Sequence, residues 1–200
     1  MGYTGKVIVE RDGSFALAPG LPLVDASERA LVQRLLELGE CYSALERFCT
    51  SRLLGVAGGE SVATGSYATA FALGLEECLQ PYQSRVLELE QQLIRTPDLS
   101  LPALQLGFGD FELTLPALRR LVATVEKERL RGTALLDFLE AANASCVHSV
   151  RWCVRVLLRH TRRVLVSQLS AWLLHGELTS EDDFFVRSGA DAASGDREHE

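Results

Sequence analysis

Apolar residues return at every third or fourth position, in phase, over stretches of about six to seven turns. The first such face is Leu31, Leu35, Leu38, Tyr42, Leu45, Cys49 and Leu53. A period near 3.6 places these side chains on one side of a helix, whereas a half-buried strand would need strict alternation. A chain with several long faces of this kind must bury them against one another. That restricts it to an all-α bundle.

The rest of the chain supports this reading. Asp25 with Glu28 is a start signal, an N-cap followed by a carboxylate three positions on, for a helix over about 26–54. Gly55, Gly58, Gly59 and Gly65 mark the loop behind it. Tyr67, Phe71, Leu75, Leu79, Tyr82, Val86, Leu89 and Leu93 form a second face and predict a helix over about 62–95. The phase runs through Pro81, which removes one backbone bond and kinks or splits the helix. Ser100 caps a third helix over about 101–129, with Pro102 in its first turn and Pro116 inside. Its face is Leu104, Phe108, Phe111, Leu115, Leu118, Val122 and Val125. Gly132 breaks the chain before a short helix over about 133–143. The last helix covers about 147–175 and is apolar on several sides, which predicts a central position.

Two segments fall outside this pattern. Alternating residues around Arg11-Asp12-Gly13 predict a small β-hairpin over about 6–17. From residue 187 to 200 the composition turns small and charged and predicts a disordered tail, leaving one domain over 1–186.

With 200 residues, 47% of them hydrophobic, the chain can build a real core. A formal net charge of −7 speaks against a general nucleic-acid binder. Met1-Gly2-Tyr3-Thr4 opens no apolar signal-peptide core, and no apolar run approaches the roughly 20 residues needed to span a bilayer. The expectation is a cytoplasmic protein bound to neither nucleic acid nor membrane. Cys41, Cys49, Cys78, Cys146 and Cys153 contain no CxxC pair and read as reduced, packed thiols.

Nothing in the sequence builds a catalytic site. The glycine-rich loop lacks the Lys-Ser/Thr pair of a phosphate cradle, since Gly65 is followed by Ser66 and Tyr67. Cys146, His148, Cys153 and His160 lack the paired short spacings of a zinc site. Each Cys sits among apolar neighbours, with no elbow to present a nucleophile. No catalytic residue, cofactor or metal is assigned. Arg151, Arg155, Arg159 and Arg163, spaced by four, are a candidate contact for a partner's acidic residues. The same stripe could instead be solvated or match the acidic face of Glu76, Glu77, Glu88 and Glu90. Trp172 follows Leu165 and Leu169 on one face and is expected in the core, where truncation to Ala would cost roughly 3–5 kcal/mol. Phe184 and Phe185 are expected to clip the following segment onto the domain.

Two stretches carry a resemblance. Gln168 to Leu178 reads QLSAWLLHGEL, with Trp172, His175 and Gly176, and runs through an acidic turn to Phe184-Phe185. Tyr67 to Leu75 includes Phe71 and continues to Pro81-Tyr82. Together they resemble the N-terminal helical domain of the gamma-tubulin complex component family, from the hairpin to Val186. The acidic turn departs from the Asp-Pro-Tyr found in many members. The resemblance implies a structural, non-enzymatic part of the complex that nucleates microtubules, located at a microtubule-organising centre or spindle pole. It implies lateral contacts with other gamma-tubulin complex proteins. Gamma-tubulin itself would be reached only indirectly or through a C-terminal domain that these residues do not include, which suggests a fragment or truncated form. The competing reading is an unrelated cytosolic helical adaptor.

Overall fold

The computed structural model describes residues 8–11, 14–18, 25–54, 65–96 and 100–178. The Asp12-Gly13 turn, the glycine-rich loop over 55–64, the Phe184-Phe185 pair and the tail over 187–200 lie outside the described residues. Within them the chain is an all-α bundle with a two-stranded hairpin at its N-terminal end.

Strands β1 (Ile8–Arg11) and β2 (Ser14–Leu17) are antiparallel, with Ile8 opposite Leu17 and Glu10 opposite Phe15. Phe15 is buried beside Gly39, and its backbone N–H donates to Glu40 Oε1. Those contacts fasten the hairpin to α1 (Ala26–Leu54). At the start of α1, Asp25 Oδ1 accepts from the Ala26 N–H at 2.7 Å. Glu28 Oε2 accepts from the Asp25 N–H at 3.4 Å, the returning half of a capping box.

Helix α2 (Ser66–Arg95) passes through Pro81 without interruption. Proline has no N–H to give the carbonyl of Glu77, four residues back, and the exposed position of Pro81 limits that cost. The helix expected over 101–129 is instead two, α3 (Leu101–Phe108) and α4 (Phe111–Lys127), with Pro116 inside α4. Gly107 and Gly109 weaken the helix there. The break lets Phe108 and Phe111 both reach Tyr82, with ring centroids 5.6 Å and 5.3 Å away. Gly107 also admits a close approach, because a Cβ there would stand 3.1 Å from Leu89 Cδ1. Helix α5 (Gly132–Ser145) starts at a glycine with φ 54°, and α6 (His148–His175) follows.

Helices α1, α2, α6 and α4 surround the core, while α5 packs on α6 and α3 bridges α1 and α2. Tyr42, Leu45, Phe71, Leu75, Leu118, Leu139 and Leu157 are nearly inaccessible to solvent. Tyr82 stacks on Tyr42 at 5.1 Å and ties α1 and α2 to the aromatics of α3 and α4. Burial, followed by the neighbouring Tyr42, pushes the Tyr82 phenol up to about 12.

Helix α6 is not buried along its whole length. Trp152 is 49% exposed. Trp172 is 36% exposed, and Leu173 and Leu174 next to it lie further out still. Trp172 is therefore not a core residue, and truncating it costs well under the roughly 3–5 kcal/mol of a fully buried aromatic. The physical reason is geometric. Tyr67, the second residue of α2, already meets Gln168, so the last two turns of α6 run past the described start of α2.

Candidate interaction surface

Among the described residues the most extensive helix–helix interface is α2 against α6, and it positions Arg159 and His160 of α6. Three features register the two helices. Tyr67 Oη donates to Gln168 Oε1 at 2.8 Å inside the core. Gly74 lets the backbones approach so closely that an added Cβ would lie 3.2 Å from Leu157 Cα and 3.3 Å from His160 Cδ2. One turn beyond Gly74, the Glu77 carboxylate accepts from Arg159 Nη2 at 2.5 Å and 2.6 Å and meets His160 Nε2 at 2.8 Å. The acidic face of α2 thus partners α6 through Glu77, the carboxylate one turn from the closest backbone approach.

This arrangement divides the arginine stripe. Successive positions four apart drift by about 40° around a helix, so Arg151 and Arg163 point some 120° apart. Arg151 turns back along the chain, where its Nη2 donates to the Cys146 carbonyl at 3.3 Å. Arg159 is clamped to Glu77. Arg155 and Arg163 are exposed and make no ion pair among the described residues. The spacing-of-four reading missed Arg162, which pairs with Glu140 of α5. Arg162 stands seven positions from Arg155, two helical turns, and that interval was the available signal. It also missed Asn143, for which position in the sequence gives no clue.

Arg155, Arg159, Arg162 and Arg163 line an open groove of about 510 Å³ with Asn143 of α5, the buried Leu158 and the exposed Val166. Asn143 Oδ1 is buried and has no hydrogen-bond partner among the described residues. A second groove of about 540 Å³ runs between α4, α5 and the start of α6, lined by apolar residues such as Leu113, Phe138 and Val150.

Other residues singled out in the sequence have structural places. Tyr67, Phe71 and Tyr82 are buried. Pro81 and His175 are exposed on their helices. Gly176 ends α6 with φ 69°, its N–H donating to the Trp172 carbonyl at 3.0 Å. Among the described residues, no three His, Cys, Asp or Glu side chains converge as metal ligands would. The five thiols are free, and all but Cys146 are buried. Burial pushes the Cys49 thiol up to about 12, and a hydrogen bond to Cys153 together with burial raises Cys78. Neither offers a reactive thiolate near neutral pH.

The family model for "Gamma tubulin complex component N-terminal" matches residues 1–200, the full chain. The chain belongs to the gamma-tubulin complex component family. A gamma-tubulin complex component 4 homolog from Medicago truncatula is 31% identical over 208 residues, covering 93% of this chain and 28% of that protein. Gamma-tubulin complex component 4 of Mus musculus is 27% identical over 198 residues, covering 94% of this chain and 30% of that protein. The Arabidopsis thaliana protein of that name is 28% identical over 237 residues, covering 100% of this chain and 31% of that protein. The chain thus spans about three tenths of the length of these relatives. No helix among the described residues is long and apolar enough to cross a membrane.

The clamp on Glu77 has a pH signature. Hydrogen bonds from His160, then Arg159, hold its carboxyl below the ordinary value of 4.5. A carboxylate whose pKa is lower in the folded state stabilises the fold above its unfolded pKa, and that contribution fades as pH falls through the folded value. The difference in melting temperature between wild type and Glu77→Gln is therefore expected to be constant near neutrality and to shrink below about pH 4.5. Melting curves across acid pH check this, and a constant difference down to the acid limit would exclude the clamp.

Proposed function

We propose that this chain is a scaffold element of a gamma-tubulin complex, making side-by-side contacts with neighbouring complex proteins in the assembly that nucleates microtubules. The observation that carries the reading is the match of the entire chain to the N-terminal region of the family. The relatives' shared name, gamma-tubulin complex component 4, agrees with it. The fold suits the role: long rigid helices present continuous outer faces, including the arginine groove and the apolar groove between α4, α5 and α6. The role is structural rather than catalytic, and it places the protein on the cytoskeleton at a microtubule-organising centre or spindle pole. Membership of the family sets aside the unrelated adaptor.

Within this reading the 200 residues bind other complex proteins directly and gamma-tubulin only indirectly. Pull-down with the purified chain tests both halves. Recovery of the N-terminal segments of other complex proteins, without gamma-tubulin when each is offered alone, is the expected result. Stoichiometric capture of pure gamma-tubulin, or failure to retain any complex protein, would overturn it.

A further inference from the structure

We propose that the arginine groove between α5 and α6 receives an extended acidic segment of a partner protein; this deepens the scaffold reading and rests on it. The first support is charge. The chain carries a net −7, yet four guanidinium groups line this groove and, among the described residues, no carboxylate does. Glu77 and Glu140 neutralise Arg159 and Arg162 from outside the lining and hold them in place. Arg155 and Arg163 remain without an ion pair among the described residues. The groove is thus a positive patch with two prepositioned and two available guanidiniums, the donor geometry that suits carboxylates.

The second support is independent of charge. Asn143 lines the same groove, and its Oδ1 is buried with no donor among the described residues, an unfavourable state that a new donor would relieve. A peptide main chain brings N–H donors that satisfy it. A deoxyribose-phosphate backbone brings none, and a free phosphate at neutral pH is chiefly an acceptor. The apolar side chains of Leu158 and Val166 in the lining likewise favour a peptide over an isolated anion.

The third support is length. Arg155 and Arg163 are eight residues apart on α6, about 12 Å along the axis. Extended chain rises about 3.3 Å per residue, so acidic residues at positions i and i+4 reach both arginines from the same side of the segment. A single phosphate cannot.

The test uses the purified chain and a fluorescein-labelled oligoglutamate peptide, read by fluorescence anisotropy at low salt. Saturable binding is expected. Arg155→Glu with Arg163→Glu should weaken it about tenfold or more, since reversed charges oppose the peptide. Neither side chain holds an ion pair among the described residues, so the melting temperature should stay unchanged. Asn143→Ala should weaken the peptide and leave binding of a labelled oligothymidylate unaffected. Absent binding of the peptide, binding indifferent to the double reversal, or Asn143→Ala indifferent for both probes would each overturn the proposal. The pull-down above separates the two readings: peptide binding with no captured complex protein sinks the scaffold role alone, and the converse sinks the groove alone.

Discussion

Tyr82→Ala is expected to destabilise the domain by about 3–5 kcal/mol, the range for losing a fully buried aromatic. The ring is 4% exposed and stands where α1, α2, α3 and α4 meet, against Tyr42, Phe108 and Phe111. No single neighbour can collapse into the space without leaving its own contacts, which places the cost toward the upper end. A domain is held by only about 5–15 kcal/mol in total, so the variant should melt far earlier and at lower denaturant. Tyr82→Phe keeps the ring and its stacking, and should cost under about 1.5 kcal/mol. Urea unfolding of the two variants checks the pair of values. A Tyr82→Ala loss as small as that of Tyr82→Phe would mean that the aromatic cluster does not join these helices.

Gly74→Val is the second large effect. A Cβ at this position meets Leu157 Cα at 3.2 Å, and a backbone atom cannot step aside as a side-chain tip can. A branched side chain forces α2 and α6 apart along their whole interface. Overpacking of this kind costs about 1–3 kcal/mol, and the loss of neighbouring contacts adds to it. The smaller Gly74→Ala sets two effects against each other. Helix propensity gains about 1 kcal/mol, while the crossing must open by a few tenths of an ångström. Thermal melting should therefore show Val far below wild type and Ala near it. A Val variant as stable as wild type would show that the crossing has room for a branched side chain and that the close approach does not hold the pair in register.

The helices were legible because their stability comes from burying one periodic face, and that face is written directly in the spacing. The faces of α1 and α2 from Leu31 to Leu53 and from Tyr67 to Leu89 run along the helices observed. The break between α3 and α4 was not legible from phase, because Leu104, Phe108, Phe111 and Leu115 stay in step across it. The pair Gly107 and Gly109 was the better signal, since two weak helix formers outweigh a continuous apolar face. Trp172 misled for a different reason. Periodicity states which side of a helix is apolar, but not whether a neighbour is long enough to cover it. The arginine surface was half legible. Its residue type and general location followed from the sequence, whereas its division among Cys146, Glu77 and the groove depends on helical drift and on where α2 touches α6. Asn143 joins the surface only through tertiary packing.

The Tyr67–Gln168 bond, the Gly74 notch and the Glu77 clamp occupy successive levels of one antiparallel helix pair. Sliding α6 by a single turn, about 5.4 Å, would break all three together. The pair therefore behaves as a keyed shaft. A pull or twist delivered to one end of α6 is expected to carry α2 with it rather than slip along it.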